Sequence, residues 1–310
     1  MPDSIAKWNG IAVAGIAKIN GIAVADIGKL NGISWPSGGG GFVEATGGNV
    51  TTDGDYKVHT FLYANRPENF TVTVGGNVEY LIIGGGGAGA SWSGGGGGAG
   101  DFKTGTKDVT AQTYTVVVGY GGQPVSNGMG DSGTASSALG ISSAGGGGGG
   151  CYTNNGRNGA SGGGGGSCET GGSHSGGTAT GENGHNGGNG SKNTGGNKYG
   201  GGGGGGAGDI GEDSNAWDGG DGGPGLSSDI SGTTLWYAAG GGGCANEASL
   251  NNGVGGSGVG GDGSRSNGTT QATEGAPNTG SGGGAGNYTS GGQPGKKGAD
   301  GIVIIRYKYK

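Results

Sequence analysis

The chain has 310 residues, 95 of them glycine, and a net charge of −6. Leu, Ile, Val and Phe together supply about 14% of it, below the roughly 20% of an ordinary globular core. That excludes doubly wound sheets, α/β barrels and helical bundles, because each glycine also costs a helix about 1 kcal/mol; blocked glycines with only 7 prolines exclude collagen.

Three copies of an eleven-residue unit come first, starting at Ile5, Ile16 and Ile27. Each carries Asn-Gly, at 9–10, 20–21 and 31–32. This is the strongest short hairpin signal, since both residues accept positive φ. An eleven-residue period also suits a right-handed coiled coil, but Asn-Gly would break it at every repeat. Between the turns Ile-Ala-Val-Ala alternates with period two. The pattern predicts an attachment module over 1–36 made of three very short β units. So small a module cannot bury its isoleucines alone. Ile5, Ile16 and Ile27 are therefore expected to dock on another chain; a flexible apolar leader is the alternative. Lys7, Lys18, Asn20 and Asp26 interrupt this stretch as they would not a signal-peptide core. Residues 37–41 read as a linker.

The third region, 42–310, opens with a β pattern: 56–62 and 70–74 alternate, 78–83 follows a Gly75-Gly76 turn, and 114–118, 235–239 and 302–307 follow later. These segments hold most of the bulky apolar residues and are expected to form one small β base. Strands then run directly into polyglycine. Ile83 precedes Gly84–Gly87, Ala144 precedes Gly145–Gly150, and Ala239 precedes Gly240–Gly243. Further blocks are Gly94–Gly98, Gly162–Gly166, Gly200–Gly206 and Gly282–Gly284. A flexible linker would mix in serine and would not alternate with strands. A bundle of polyglycine II helices explains the blocks better. Such helices have three residues per turn and no internal hydrogen bonds, so neighbours must meet their N–H and C=O groups. Uninterrupted blocks are then inner helices. Mixed stretches such as 219–225 and 255–263 are edge helices. The expected fold is thus mostly irregular and β.

Chain parity places loops at the end away from the base: 88–93, 151–161, 207–218, 244–252 and 287–290. They hold Trp92, Tyr152, Arg157, Trp217 and Tyr288, residue types that anchor interfaces. They are candidate receptor-binding residues; capping of the bundle ends is the competing role. Cys151 and Cys244 should share that end and Cys168 should lie near the base, with free thiols expected and a Cys151–Cys244 bridge as the lesser alternative. His59, His174 and His185 are scattered outside metal-ligand spacings, so no metal is expected. Gly84–Gly87 follows a strand as a dinucleotide loop does, but Ser91-Trp92-Ser93 and more glycine cannot begin a helix. No cofactor, no catalytic residue and no enzyme activity are expected. The acidic balance argues against nucleic acid, and without 18 consecutive apolar residues no membrane insertion is expected.

The runs 45–61 and 70–87, and the ending Gly298-Ala-Asp-Gly-Ile-Val-Ile-Ile-Arg-Tyr307, resemble the glycine-rich domain of bacteriophage tail and fibre proteins, including T-even-type fibre-tip adhesins. The resemblance covers about 42–307. It implies a polyglycine II sandwich whose loops recognise a host surface glycan or outer-membrane protein. It places the protein in the virion, at a tail or fibre tip, after synthesis in the host cytoplasm. The repeats would then bind another virion fibre protein or their own copies, with a trimer around a fibre axis as the expected symmetry. A structural capsid fibre or tail decoration with no specific receptor is the alternative. An ice-binding face is disfavoured, because no regular Thr or Ala ladder is present.

Overall fold

A computed structural model describes residues 42–310 except 66–67, 168–172, 192–198, 216, 248–249, 267–269 and 288–292, and within 1–41 only paired strands. Those are β1 (Lys7–Trp8) with β2 (Ile11–Ala12), β3 (Lys18–Ile19) with β4 (Ile22–Ala23), and β5 (Lys29–Leu30) with β6 (Ile33–Ser34). Trp8 opposes Ile11, Ile19 opposes Ile22 and Leu30 opposes Ile33, so each repeat is an antiparallel hairpin around its Asn-Gly. Ile5, Ile16, Ile27 and the linker 37–41 lie outside the described residues.

The base contains β7 (Glu44–Thr46), β8 (Asn49–Asp53), β9 (Tyr56–Leu62), β10 (Glu68–Val74), β11 (Gly76–Ile83), β12 (Phe102–Val109) and β13 (Thr113–Val116). Two hairpins follow, β14 (Ser136–Ala138) with β15 (Ile141–Ser143) and β16 (Leu226–Ser228) with β17 (Leu235–Tyr237), before the last strand, β18 (Ile302–Lys308). A five-stranded antiparallel sheet runs β12-β11-β18-β9-β8 and a three-stranded one runs β13-β10-β7. Successive residues of a strand face opposite ways. In β18, Val303, Ile305 and Tyr307 join Phe61, Phe70, Val72 and Val116 in the cluster that spans the two sheets. Ile302 and Ile304 point the other way, with Val58, Leu81 and Ile83, onto Ile230, Tyr237 and Ala238. Both faces of the large sheet are covered, so β18 reads as an unbroken apolar run rather than an alternating one. The β14–β15 hairpin had no counterpart in the expected base; its apolar contribution is only Ala138, Leu139 and Ile141.

His59 is fully buried in this core. Its Nδ1 lies 2.7 Å from the Gly47 carbonyl, which can only accept, so Nδ1 carries the proton. Nε2, 3.0 Å away, then accepts from the Tyr307 hydroxyl. Burial, and to a lesser extent Lys57, hold the pKa below 6.5.

The glycine blocks form a hexagonal array around row 94–101. Gly95, Gly98 and Asp101 donate N–H bonds to Gly150, Gly147 and Ala144. Gly96 and Ala99 donate to Gly202 and Gly205, and Gly94, Gly97 and Gly100 to Gly286, Gly283 and Gly280. Every third N–H thus points the same way, the signature of a threefold extended helix. The carbonyls open toward three other rows. Gly98 and Gly95 accept from Gly87 and Ala90, Ala99 and Gly96 from Ser161 and Gly164, and Gly97 and Gly94 from Gly241 and Cys244. The rows around the axis are therefore 84–90, 144–150, 161–167, 200–206, 240–244 and 280–286. They also bond to one another in chain order: Gly146 to Gly85, Gly147 to Ser161, Gly205 to Gly162, Gly204 to Gly241, Ala285 to Gly242, and Gly283 to Gly87. The seven uninterrupted glycine blocks are thus the axis and its ring, as expected of inner helices. A Cβ on Gly96 would overlap the Gly241 carbonyl oxygen, and one on Gly97 that of Gly87.

Mixed sequence forms the outer rows, among them 119–123, 128–134, 154–160, 184–191, 209–214, 219–225, 253–256, 259–264 and 295–301. The stretch 255–263, expected as one edge helix, is two short rows joined by a turn at 256–259, where Gly260 N–H bonds back to Gly256. Outer rows lack neighbours on one side, and Asn and Asp side chains replace them. Asn155 and Asn158 Oδ1 accept the N–H of Ser175 and Thr178 at 3.0 and 2.8 Å. Asp218 and Asp221 do the same for Asn251 and Val254, both at 2.7 Å. Each pair is spaced i, i+3, the period of the row itself. Among the described residues, row 144–150 is flanked outside by 128–134 and 154–160. There the Gly148 N–H bonds to Ser132 Oγ at 3.3 Å, and Arg157 and Asp131, one on each flanking row, approach to 4.0 Å.

Two measurements follow from this packing. Gly96→Ala forces a methyl into backbone that cannot recede, and thermal denaturation should show a loss of about 3 kcal/mol or more. The depressed His59 pKa means that the unfolded chain takes up its proton first. Stability should be full above pH 6.5 and decline as pH falls below it, toward the lower folded-state value. His174, also lowered by burial, adds to the same slope. Melting curves from pH 8 to 5 should show this decline, and His59→Gln should flatten it.

Candidate functional site

Row 84–90 leaves the base at Ile83 and row 94–101 re-enters it at Phe102, so the turn 91–93 sits at the far, distal end. Two more turns bond to it directly. Ser91 donates its N–H to the Gly128 carbonyl at 3.0 Å and its hydroxyl to the Val125 carbonyl at 2.7 Å, fixing 123–128. Tyr152 donates its N–H to the Trp92 carbonyl at 3.1 Å, fixing 151–154. The half-buried rings of Trp92 and Tyr152 stack, centroids 5.4 Å apart and planes at 27°. Both residues have left-handed backbone, φ 60° and 40°, as do Ser93 at 50° and Asn127 at 54°. That conformation costs an L-residue roughly 1–2 kcal/mol. Buried Ser93, Ser167, Cys151, Cys244 and Asn287 terminate inner rows at this end.

The structure brings together two of the expected residues, Trp92 and Tyr152. Trp217 is also distal and 49% exposed, on a turn held by the Asp218 N–H to Asn215 Oδ1 bond at 2.9 Å. Arg157 is not on a distal loop. The expected loop 151–161 turns within 151–154, and 154–160 is an outer row running back to the base, with Arg157 N–H on the Gly148 carbonyl. Its side chain lies on the flank of the bundle. The expected loop 207–218 likewise contains the outer row 209–214, which leaves the distal turn to the residues around Trp217. Tyr288 lies outside the described residues.

The extra row also reverses the expected direction of 162–166. That block runs outward, ending where the Ser167 N–H meets the Ser93 carbonyl at 3.0 Å. Cys168 therefore follows a distal residue rather than one near the base; Cys168 itself is outside the described residues. Cys151 and Cys244 are free and buried. The turn 123–128 escaped the sequence reading, because no uninterrupted glycine block flanks it. Its signal was Pro124 and Asn127-Gly128 inside a glycine-punctuated stretch.

At the opposite end, a cleft of about 490 Å³ is lined by Phe42, Tyr56, Glu79, Asp108, Arg306 and Lys308 among others. Its central charges are already paired, Arg306 Nε to Glu79 Oε2 at 2.8 Å.

A β base carrying laterally bonded polyglycine rows defines a glycine-rich bundle protein, in which backbone rather than side chains fills most of the interior. The chain belongs to the glycine-rich domain family, whose sequence pattern matches residues 64–308. No curated protein matches the sequence.

Burial pushes the Cys244 thiol up to about 12, so almost none of it is thiolate near neutrality. Iodoacetamide treatment of the native protein at pH 8, followed by peptide mass analysis, should leave Cys244 unmodified, with labelling appearing after denaturation.

Proposed function

We propose that this protein is a bacteriophage tail-fibre or tail-tip adhesin that binds a host-cell surface receptor through its distal turns. The observation that carries the reading is the division of labour between the two ends. Ile83, Phe102, Ala238 and Ile302 tie the rows to an apolar base, whereas the distal turns present Trp92, Tyr152 and Trp217, of which two hold costly backbone. Tryptophan and tyrosine anchor interfaces more than other residues. The hexagonal array is a stiff platform for them, since its helices cannot bend without breaking lateral bonds. In this reading the three N-terminal hairpins attach the protein to a virion fibre protein or to its own copies. The resemblance to phage glycine-rich domains supports the role, and the family match supports the fold on which it rests.

The test is adsorption of labelled protein to a panel of bacteria. The wild type should adsorb to particular strains. The triple variant Trp92→Ala, Tyr152→Ala, Trp217→Ala should lose adsorption at least tenfold while keeping the near-ultraviolet circular dichroism of the β base. Unchanged adsorption by the triple variant would make the distal turns caps, and the molecule a structural virion spike.

A further inference from the structure

In a chain with 95 glycines, the placement of left-handed backbone is informative. Among the described residues, the left-handed glycines are Gly47, Gly48, Gly54, Gly76, Gly140, Gly232, Gly258 and Gly280. All lie in the β base or at row ends adjoining it: Gly258 sits beside Gly256, whose N–H bonds to the Gly240 carbonyl, and Gly280 bonds to Asp300. The base end also holds left-handed non-glycine residues, Leu139 and Ala238 with core side chains, Ser257 whose hydroxyl accepts the Gly225 N–H, and Asn278. At the distal end, the left-handed positions among the described residues are Trp92, Ser93, Asn127 and Tyr152, none of them glycine. Glycine would remove the strain at all four. Strain retained where relief is one substitution away points to side chains kept for contact.

The chemistry of these side chains is uniform. The three bonded turns, 91–93, 123–128 and 151–154, contain no Asp, Glu, Lys or Arg. They present a stacked aromatic pair, the exposed amides of Gln123, Asn127 and Asn154, and the exposed hydroxyls of Ser126 and Thr153. Next to Trp92, Ser93 is 1% exposed, and among the described residues its hydroxyl has no hydrogen-bond partner. A buried hydroxyl without a partner is costly. Flat aromatic rings ringed by neutral amides and hydroxyls match a pyranose, whose C–H face packs on aromatics and whose edge offers hydroxyls to donors and acceptors. An acidic polysaccharide would find no cation in these turns.

We infer that the Trp92–Tyr152 platform, with turns 123–128 and 151–154, binds a neutral hexose-type glycan of the cell surface. This rests on the adhesin reading and narrows its receptor class.

The test uses the whole protein on an array of neutral O-polysaccharides and acidic capsular polysaccharides from bacteria, with whole-cell adsorption alongside. At least one neutral polymer should bind. Trp92→Gly and Tyr152→Gly should each weaken that binding tenfold or more, with a melting temperature equal to or above the wild type because glycine relieves the strain. Trp236→Ala, at the base, should bind normally. Binding to acidic polymers alone, or normal binding by both glycine variants, overturns the inference. So does the absence of any bound neutral polymer when wild-type cells-adsorption persists and is lost in Trp92→Gly, an outcome that leaves the adhesin reading standing. Failure of the wild type to adsorb to any strain overturns the adhesin reading itself.

Discussion

A helix with no internal hydrogen bonds leaves every N–H and C=O to be satisfied from outside, and the structure is organised by that demand. Row 94–101 meets it through neighbours on all sides. The approach needed for N–H···O=C bonds between parallel axes leaves no space for a side chain, so inner rows are polyglycine. Alanine is accepted only where geometry relents. Ala99, at the base end of the axis, packs with Leu81, Ile83 and Ala207 in an apolar cluster, and Ala88 and Ala90 lie near the distal turn.

The same demand shapes the periphery. An outer row is missing partners, and water is one remedy; the chain often uses another, an Asn or Asp every third residue. Asn155 and Asn158, Asn186 and Asn189, and Asp218 and Asp221 each accept from an adjacent row's N–H. These residues therefore complete the lattice instead of merely facing solvent. The bundle needs an end that fixes its phase, and the β base supplies it: Ile83, Ala144 and Ala239 hand the chain from apolar cluster to lattice. The ordering entropy of 95 glycines is opposed by bonds made in every direction rather than by apolar burial.

Much of this was legible in the sequence because the constraint is local. Seven glycine blocks identified seven inner rows, and apolar runs identified most of the base strands, though not the β14–β15 hairpin. Asn-Gly at positions 9–10, 20–21 and 31–32 identified the hairpins. Illegible were the outer rows hidden in polar sequence, because any residue is accepted there so long as its inward neighbours are small. Residues 154–160 look like a loop and are a row, and that one omission misplaced Arg157 and inverted the path to Cys168. The candidate site was half legible. Parity placed Trp92, Tyr152 and Trp217 at one end, but the stacking of Trp92 on Tyr152 and the turn at Asn127 depend on which row ends are neighbours across the hexagon.

The direction of the lattice bonds has a mechanical consequence. They run across the rows, while the rows run from base to distal turns. A pull on those turns along the bundle axis therefore loads the bonds in shear, and many must fail together before any row slides. A sheet peeled from its edge, by contrast, opens one bond at a time. Rows joined to the base at one end and to each other at the far end also share the load, since 84–90 cannot lengthen without dragging 94–101 through the turn at Trp92. Tension along this molecule is thus spread over its whole cross-section rather than concentrated at its tip.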